Sequence, residues 1–332
     1  MFPKDIYIDL GTENTRIYAR KKGILLNEPT VIAHSSKTDT NTLGSAAKEM
    51  LGRCPSHLSV FKPLKEGVVK DFEHAKGMLS NFLKNAGNEM LLTKSRILIS
   101  LPIEVDENEK ELFRALAFEL GAGIVHLVNE PLAGAIGTGA NIFSKKPLMF
   151  LDLGAGTSEV IITSQGKIIR SEAVRVGGDT INRSIIETLE TEQNFSVGEQ
   201  TAEKIKKEVA VLEPGSTEVK FCAAAGVNLK TGFPETRMIN STMILSALLP
   251  TFNKITHLLT KNFNSSSAEI MSEVKTSGVM LFGGNSLVPG VTQFLFNKFG
   301  LPFLRSSSPL MSVTIGGSRI LDDDQLFKDL KL

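Results

Sequence analysis

The chain has 332 residues, 42% of them apolar, which is more than one compact core usually holds and points to two or more domains. Lys and Arg number 37 against 36 Asp and Glu, so no charge excess recommends nucleic acid or an anionic membrane as a bulk electrostatic partner. No apolar run approaches the ~20 residues of a membrane-spanning helix, and 2 Tyr without Trp leave few stacking platforms for single-stranded nucleic acid.

The start, "MFPKDIYIDL", passes into a strand with no signal-peptide core, so a cytoplasmic protein is expected. Residues 5–10 and 15–20 read as two strands around the turn "GTEN". A polar stretch at 34–42 leads into a small mixed insert, 43–72, with no long helix. Ala75, Met78, Leu79, Phe82 and Leu83 then recur at helical spacing. "SRILISLP" (95–102) reads as a strand, and Asp106 with Glu109 three residues on is a helix-start signature. That helix runs through Leu112, Leu116 and Leu120, with Gly121 as its stop, and "GIVHLV" (123–128) is the next strand. Strand, helix, strand implies parallel pairing in a helix-covered sheet. Pro131 suits a first helical turn, and the Ala/Gly-rich run behind it permits close backbone approach. Cys54 and Cys222 read as small buried residues of a reducing compartment.

The second half repeats the plan. "MFLDLGAGTSEVIIT" (149–163) echoes "IYIDLGTENTRIYAR" (6–20). Strands at 148–152, 159–163 and 167–174 form a meander, followed by a helix from Asp179 with Ile181, Ile185 and Leu189 on one stripe. Ala202, Ile205 and Val209 mark another helix, and 214–238 reads as an extended, loop-rich insert. "STMILSALLPTFNKITHLLTKNF" is a long apolar helix that Pro250 should kink or divide. "TSGVMLFGGNSLVPG" is a strand ending in a Gly-Gly turn, and the tail is helical. The whole reads as two related α/β domains facing each other.

A turn of Gly and small hydroxyl residues can present its N–H groups to phosphate oxygens. Those donors would be Gly11, Thr12, Glu13 and Asn14 in one copy, and Gly154, Ala155, Gly156 and Thr157 in the other. Carboxylates repel phosphate unless a cation intervenes, so Asp9 and Asp152 suit ligands of Mg²⁺, directly or through water. One such turn alone is more simply a hairpin whose Asp caps it. Two in matching positions can clamp a polyphosphate from both sides. Gly283 and Gly284, at a strand end, would let backbone lie flat against a base.

In this order, "YIDLGTENTRIYARKKGILLNEPTVIA", "NEPLAGAIGTG", "LDLGAGTSEV", "GGD", "TAEKIKKEV" and "FGGNSLVPG" resemble the MreB family, within the actin, sugar-kinase and heat-shock-chaperone ATPase superfamily. The resemblance implies an actin-like α/β fold: two ribonuclease-H-like halves around a nucleotide cleft, each with a small inserted subdomain. The first half would span 1–145, with its insert at about 33–72 and the C-terminal helix 315–332 returning to it. The second would span 146–314, with its insert at about 181–240. ATP/ADP and Mg²⁺ are implied as cofactors. Implied too are a weak ATPase, homopolymeric double filaments, the inner face of the cytoplasmic membrane, cell-wall elongation proteins and rod-shape maintenance, with no nucleic acid.

Residue by residue, the resemblance makes Glu130 the catalytic carboxylate, with Thr157 and Ser158 positioning water. Glu203 and Lys206 match ribose- and base-contacting positions; without the resemblance they read as an i,i+3 ion pair. Gly283, Gly284, Asn285 and Ser286 match the adenine turn, and Gly177 and Gly178 the turn approaching the phosphates between domains. Met90, Leu91 and Leu92, flanked by Lys84, Lys94 and Arg96, match a membrane-dipping loop; the alternative is the end of a buried element. Ahead of the first strand only Met1 and Phe2 are apolar before Pro3, which opposes a helix there, so an N-terminal amphipathic helix is not expected. A small-molecule kinase and a non-polymerising nucleotide-binding adaptor of the same superfamily are the alternatives.

Overall fold

The computed structural model of the protein describes residues 5–51, 54–86, 95–212 and 219–332. β1 (Asp5–Leu10) and β2 (Asn14–Ala19) form the expected hairpin, and β3 (Gly23–Pro29) extends it. β4 (Ile32–Ser35), β5 (Thr40–Leu43), α1 (Gly44–Met50) and β6 (Leu58–Phe61) build a small insert, and β7 (Leu64–Lys65) with β8 (Val68–Val69) makes a two-stranded clip. α2 (Phe72–Asn85), β9 (Arg96–Leu101), α3 (Glu107–Glu119), β10 (Ile124–Asn129) and α4 (Glu130–Gly137) follow. At the start of α3 the Asp106 carboxylate accepts from the Glu109 N–H at 2.8 Å, and the Glu109 carboxylate accepts from the Asp106 N–H at 3.2 Å. The inward stripe of α3 is Phe113, Leu116 and Ala117; Leu112 lies off it and stays exposed.

β11 (Leu148–Leu153), β12 (Ser158–Ser164) and β13 (Lys167–Val174) form the second meander. Then come α5 (Gly178–Gln193), β14 (Phe195–Ser196), α6 (Glu199–Val209), β15 (Phe221–Asn228) and β16 (Pro234–Asn240). α7 (Leu245–Asn264), α8 (Ala268–Ser277), β17 (Val279–Phe282), a 3-10 turn (Gly284–Leu287), α9 (Val291–Phe299), β18 (Phe303–Arg305), α10 (Ser312–Asp322) and α11 (Asp324–Leu330) complete the chain.

Two five-stranded sheets share one plan, β10-β9-β1-β2-β3 and β13-β12-β11-β17-β18. In each, the central strand runs antiparallel to its hairpin partner and parallel to the strand on its other side. Asp9 lies opposite Arg16 in one hairpin, and Asp152 opposite Glu159 in the other. The weak echo in the sequence is thus a repeat of topology and register.

Three expectations are corrected. Much of the 214–238 stretch is the antiparallel hairpin β15–β16, not loop. Its Ala-rich strand has a single β-branched residue, Val227, and it is set by packing Cys222 and Ala224 inward. Pro250 does not divide its helix: α7 is one element with Pro250 inside. Pro250 removes one backbone bond and crowds the Ser246 carbonyl, and burial of Leu248, Phe252, Ile255 and Leu259 outweighs that cost. The helical tail breaks in two at Asp323, whose carboxylate caps α11 by accepting from the Gln325 and Leu326 N–H groups.

The sheets each carry their own core, and a third core lies between them, built from Tyr7, Val128, Phe150, Ile161, Phe282 and Ile320. α4 and α10 cross in it with backbones in contact. A Cβ on Gly316 would lie 1.7 Å from the Ala133 carbonyl oxygen, and one on Gly137 1.7 Å from that of Ser312. Gly317 meets the Tyr7 ring, whose hydroxyl donates to Ser100 at 2.9 Å. A methyl group here has no space, so Gly316→Ala is expected to lower the stability of the chain by at least about 2 kcal/mol. Gly77→Ala, in open space on α2, should be neutral or stabilising by up to about 1 kcal/mol. Urea unfolding of the two variants checks both; equal midpoints would remove the close crossing as a constraint.

Candidate functional site

The two Asp-Leu-Gly strands end in turns closed in the same way. The Gly11 N–H donates to the Asn14 carbonyl at 3.1 Å, and the Gly154 N–H to the Thr157 carbonyl at 3.0 Å. Around the first turn, the Thr30 hydroxyl donates to the Gly11 carbonyl, the Thr30 N–H to the Glu13 carbonyl, and the Gly67 N–H to the Thr12 hydroxyl. Around the second, the Gly178 and Asp179 N–H groups donate to the Gly154 and Ala155 carbonyls, and the Asn285 amide also donates to the Gly154 carbonyl. These bonds fix the turns through carbonyls and hydroxyls. None of them uses the N–H groups of Thr12, Glu13, Ala155, Gly156 or Thr157.

The turns also face each other. A Cβ on Gly156 would lie 2.8 Å from both the Thr12 hydroxyl and the Cα of Glu66 in the β7–β8 clip, so only glycine admits that approach. Gly177 and Gly178 start α5 against the second turn. Lys206 donates to the Gly178 carbonyl at 3.1 Å and pairs with Glu203 at 2.6 Å, while Asn182 donates to Glu203 at 2.8 Å. Burial works to raise the Glu203 carboxyl, but the charge of Lys206 and the hydrogen bonds from Lys206, Asn182 and Lys207 hold it down at about 2. Gly283, at φ +80°, lies against Asp152 and Leu153, so the Gly283–Gly284 turn sits on the end of β11. Between the inserts the cleft opens into a cavity of 390 Å³, with Pro29, Ser45 and Lys48 on one wall and Gln200, Glu203 and Lys207 on the other. That is within the size range of small-ligand pockets.

The cleft floor is acidic. Asp9 and Asp152 are buried, and Glu130, the first residue of α4, is half-buried. Burial, then the charges of Asp152 and Asp9, push the Glu130 carboxyl well above the usual range. Burial, Glu159 and Asp9 do the same to Asp152. Arg16 pairs with Asp9 at 3.2 Å, and Thr314 donates to the same Asp9 oxygen at 2.7 Å, so Asp9 already has partners. Among the described residues no three His, Cys, Asp or Glu side chains form a ready metal cage. Asp152 and Asp9 are the buried carboxylates that a cation beside phosphates would meet here.

Several expected roles change with the geometry. The Ser158 hydroxyl donates to the Val176 carbonyl at 2.8 Å and is fully buried, so it holds the chain rather than a water; Thr157 remains. The Ser286 hydroxyl closes its own turn onto the Gly283 carbonyl, which leaves no donor for a base. The Glu13 carboxylate pairs with Lys48 and Lys62, so only its backbone suits a phosphate. Arg96 is tied to Asp5 and stacks over Phe327, which removes it as a free cation beside the apolar loop. Met90, Leu91 and Leu92 lie outside the described residues, as do Met1 and Phe2.

Sequence reasoning missed Lys62, Arg16 and Glu159. Glu159 is buried, accepts from the Ile103 N–H at 2.8 Å, and leaves its other oxygen without a partner. Its place opposite Asp152, matching Arg16 opposite Asp9, was the one signal available. Burial and the charge of Glu130 raise its carboxyl to about 8. Folding therefore takes up a proton at neutral pH, and the nucleotide-free chain should lose stability as pH rises from about 4.5 through about 8. Glu159→Gln should flatten that decline by up to about 1.4 kcal/mol per pH unit, checked by urea unfolding at pH 5, 6.5 and 8. Parallel curves for wild type and variant would leave Glu159 ionised throughout.

The family model described as MreB/Mbl protein matches residues 3–329. The cell shape-determining protein MreB of Escherichia coli K12 is 34% identical over 328 residues, covering 97% of this chain and 94% of its own. The crystal structure of MreB 5 of Spiroplasma citri bound to AMPPNP superposes with a TM-score of 0.94 at 28% identity, covering 99% of this chain and 98% of that one. The MamK double helical filament shares the fold, with a TM-score of 0.79 at 17% identity over 96% of this chain and 99% of that one. An actin-like α/β fold with two repeated sheets, matched by this family model from end to end, has one reading: the chain belongs to the MreB/Mbl protein family.

Proposed function

We propose that the chain is an ATP-binding, slowly ATP-hydrolysing actin homologue that polymerises into membrane-associated filaments and maintains rod cell shape by organising cell-wall synthesis. The observation that carries this reading is the pair of identically closed turns, 11–14 and 154–157, meeting across one cleft. A relative of nearly the same structure holds AMPPNP, and a neighbour of the same fold forms a double helical filament. Residues 1–145 and 146–314 act as the two halves, with the tail returning to the first.

In this reading the free turn amides within Gly11–Asn14 (Thr12, Glu13) and within Gly154–Thr157 (Ala155, Gly156, Thr157) hold the phosphates from opposite sides, while the Gly11 and Gly154 N–H groups close the turns. Glu203 and Lys206 take the ribose, and the Gly283–Asn285 backbone lies under the base. Magnesium, when bound through Asp152 and Asp9 with its waters, supplies positive charge that offsets the carboxylate repulsion. Ionised Glu130 orients a water and takes its proton as the water oxygen bonds to the terminal phosphorus and the bond to the ADP oxygen breaks. Thr157 holds that water from the second turn. Membrane contact rests on the apolar run Met90–Leu91–Leu92 in the sequence, and wall-elongation proteins are the partners the family implies.

The test of the function is sedimentation. Purified protein with ATP and Mg²⁺ should pellet and release phosphate slowly, and EDTA should reduce both. A monomer under all nucleotide, salt and lipid conditions would favour the adaptor reading instead. Glu130→Ala should still bind ATP while phosphate release falls at least about 100-fold. Unchanged turnover would remove Glu130 from the chemistry.

A further inference from the structure

Lys62 follows β6, in the insert of the first unit. Its ammonium lies 2.9 Å from the Glu13 carboxylate in the first turn and 3.0 Å from the Asp179 carboxylate at the start of α5. Glu199, which opens α6, stands 3.7 Å away. Lys48 of α1 pairs with the other Glu13 oxygen. One cation thus joins the turn on one side of the cleft to the helix that supports the turn on the other. The lysine side chain is only 17% exposed, and Glu13 and Asp179 are each under a third exposed, so water screens this bridge less than a surface pair. Burial opposes the Lys62 charge, yet Glu13 and Asp179 hold its pKa above the ordinary lysine value.

We propose that Lys62 is a positioning residue, an ionic strap across the cleft mouth that holds the two phosphate turns together and sets how fast nucleotide leaves. The inference deepens the nucleotide reading and rests on it. Without the strap the two units are joined at the mouth by fewer charged contacts, while the core around α4 and α10 is untouched. Loss of the strap should therefore open the mouth more often without unfolding the chain. Asp179 is the nearer of the two carboxylates that Lys62 meets across the cleft, Glu199 being the farther, so the effects of removing Lys62 and Asp179 should not add.

The experiment is stopped-flow release of a fluorescent ATP analogue from the full chain. Lys62→Met and Asp179→Asn should each speed release roughly ten-fold, and the double variant should be no faster than either single. Lys62→Arg should restore release to near the wild-type rate. Wild-type release should quicken with added salt, and that dependence should shrink in Lys62→Met. Circular dichroism verifies folding; if Lys62→Met does not fold, Asp179→Asn with the salt series carries the test. Release from both variants at the wild-type rate overturns the strap, as do effects that add in the double variant. If the wild type binds no nucleotide at all, the nucleotide reading falls and the strap with it; binding with unchanged release sinks the strap alone.

Discussion

Between the carbonyl of Ala133 and the Cα of Gly316 there is no room for a methyl group, and the geometry of the cleft depends on that contact. α4 leaves the first sheet and α10 leads back to it, and the two helices cross where both sheets end. Gly134 beneath the Phe282 ring and Gly317 beneath the Tyr7 ring extend the same close packing to either side. Interiors this dense move between discrete arrangements rather than flex continuously. The central strands β1 and β11 therefore present their Asp-Leu-Gly ends to one place.

That convergence has an electrostatic consequence. Asp9, Asp152, Glu130 and Glu159 are brought together with Arg16 against them, and burial removes the water that would screen their repulsion. A site with this charge favours cationic company and a ligand whose phosphates arrive with it. The two hairpins are alike in register but opposite in charge at one position, Arg16 against Glu159. The first copy neutralises its Asp within the protein. The second sets its Asp beside another buried carboxyl, so each resists ionising, and a cation there would favour the ionised forms.

Much of this was legible in the sequence. The Asp106–Glu109 cap, the stripes on α5 and α6 and both meanders follow from local pattern, where periodicity and capping chemistry act over a few residues. What failed is what local pattern does not encode. The β15 strand is rich in alanine, and its pairing with β16 decides its conformation. Pro250 is tolerated because the buried face of α7 dominates. The site was legible as two phrases, but its side-chain partners were not. Ser158 and Val176 are 18 residues apart, and Lys62 and Asp179 are 117 apart; neither pairing leaves a trace in local composition. The lysines that claim the Glu13 carboxylate lie in the insert, so that pairing was equally invisible in the turn's own residues.

In the proposed function the two repeated turns hold one polyphosphate between them. A crystal structure of the chain with a non-hydrolysable ATP analogue and magnesium tests it most directly. The phosphates are expected between the amides of Thr12 and Glu13 and those of Ala155, Gly156 and Thr157, with the metal on the Asp152 side and the base on the Gly283–Gly284 turn. A nucleotide bound elsewhere, or phosphates touching only one of the two turns, would contradict it.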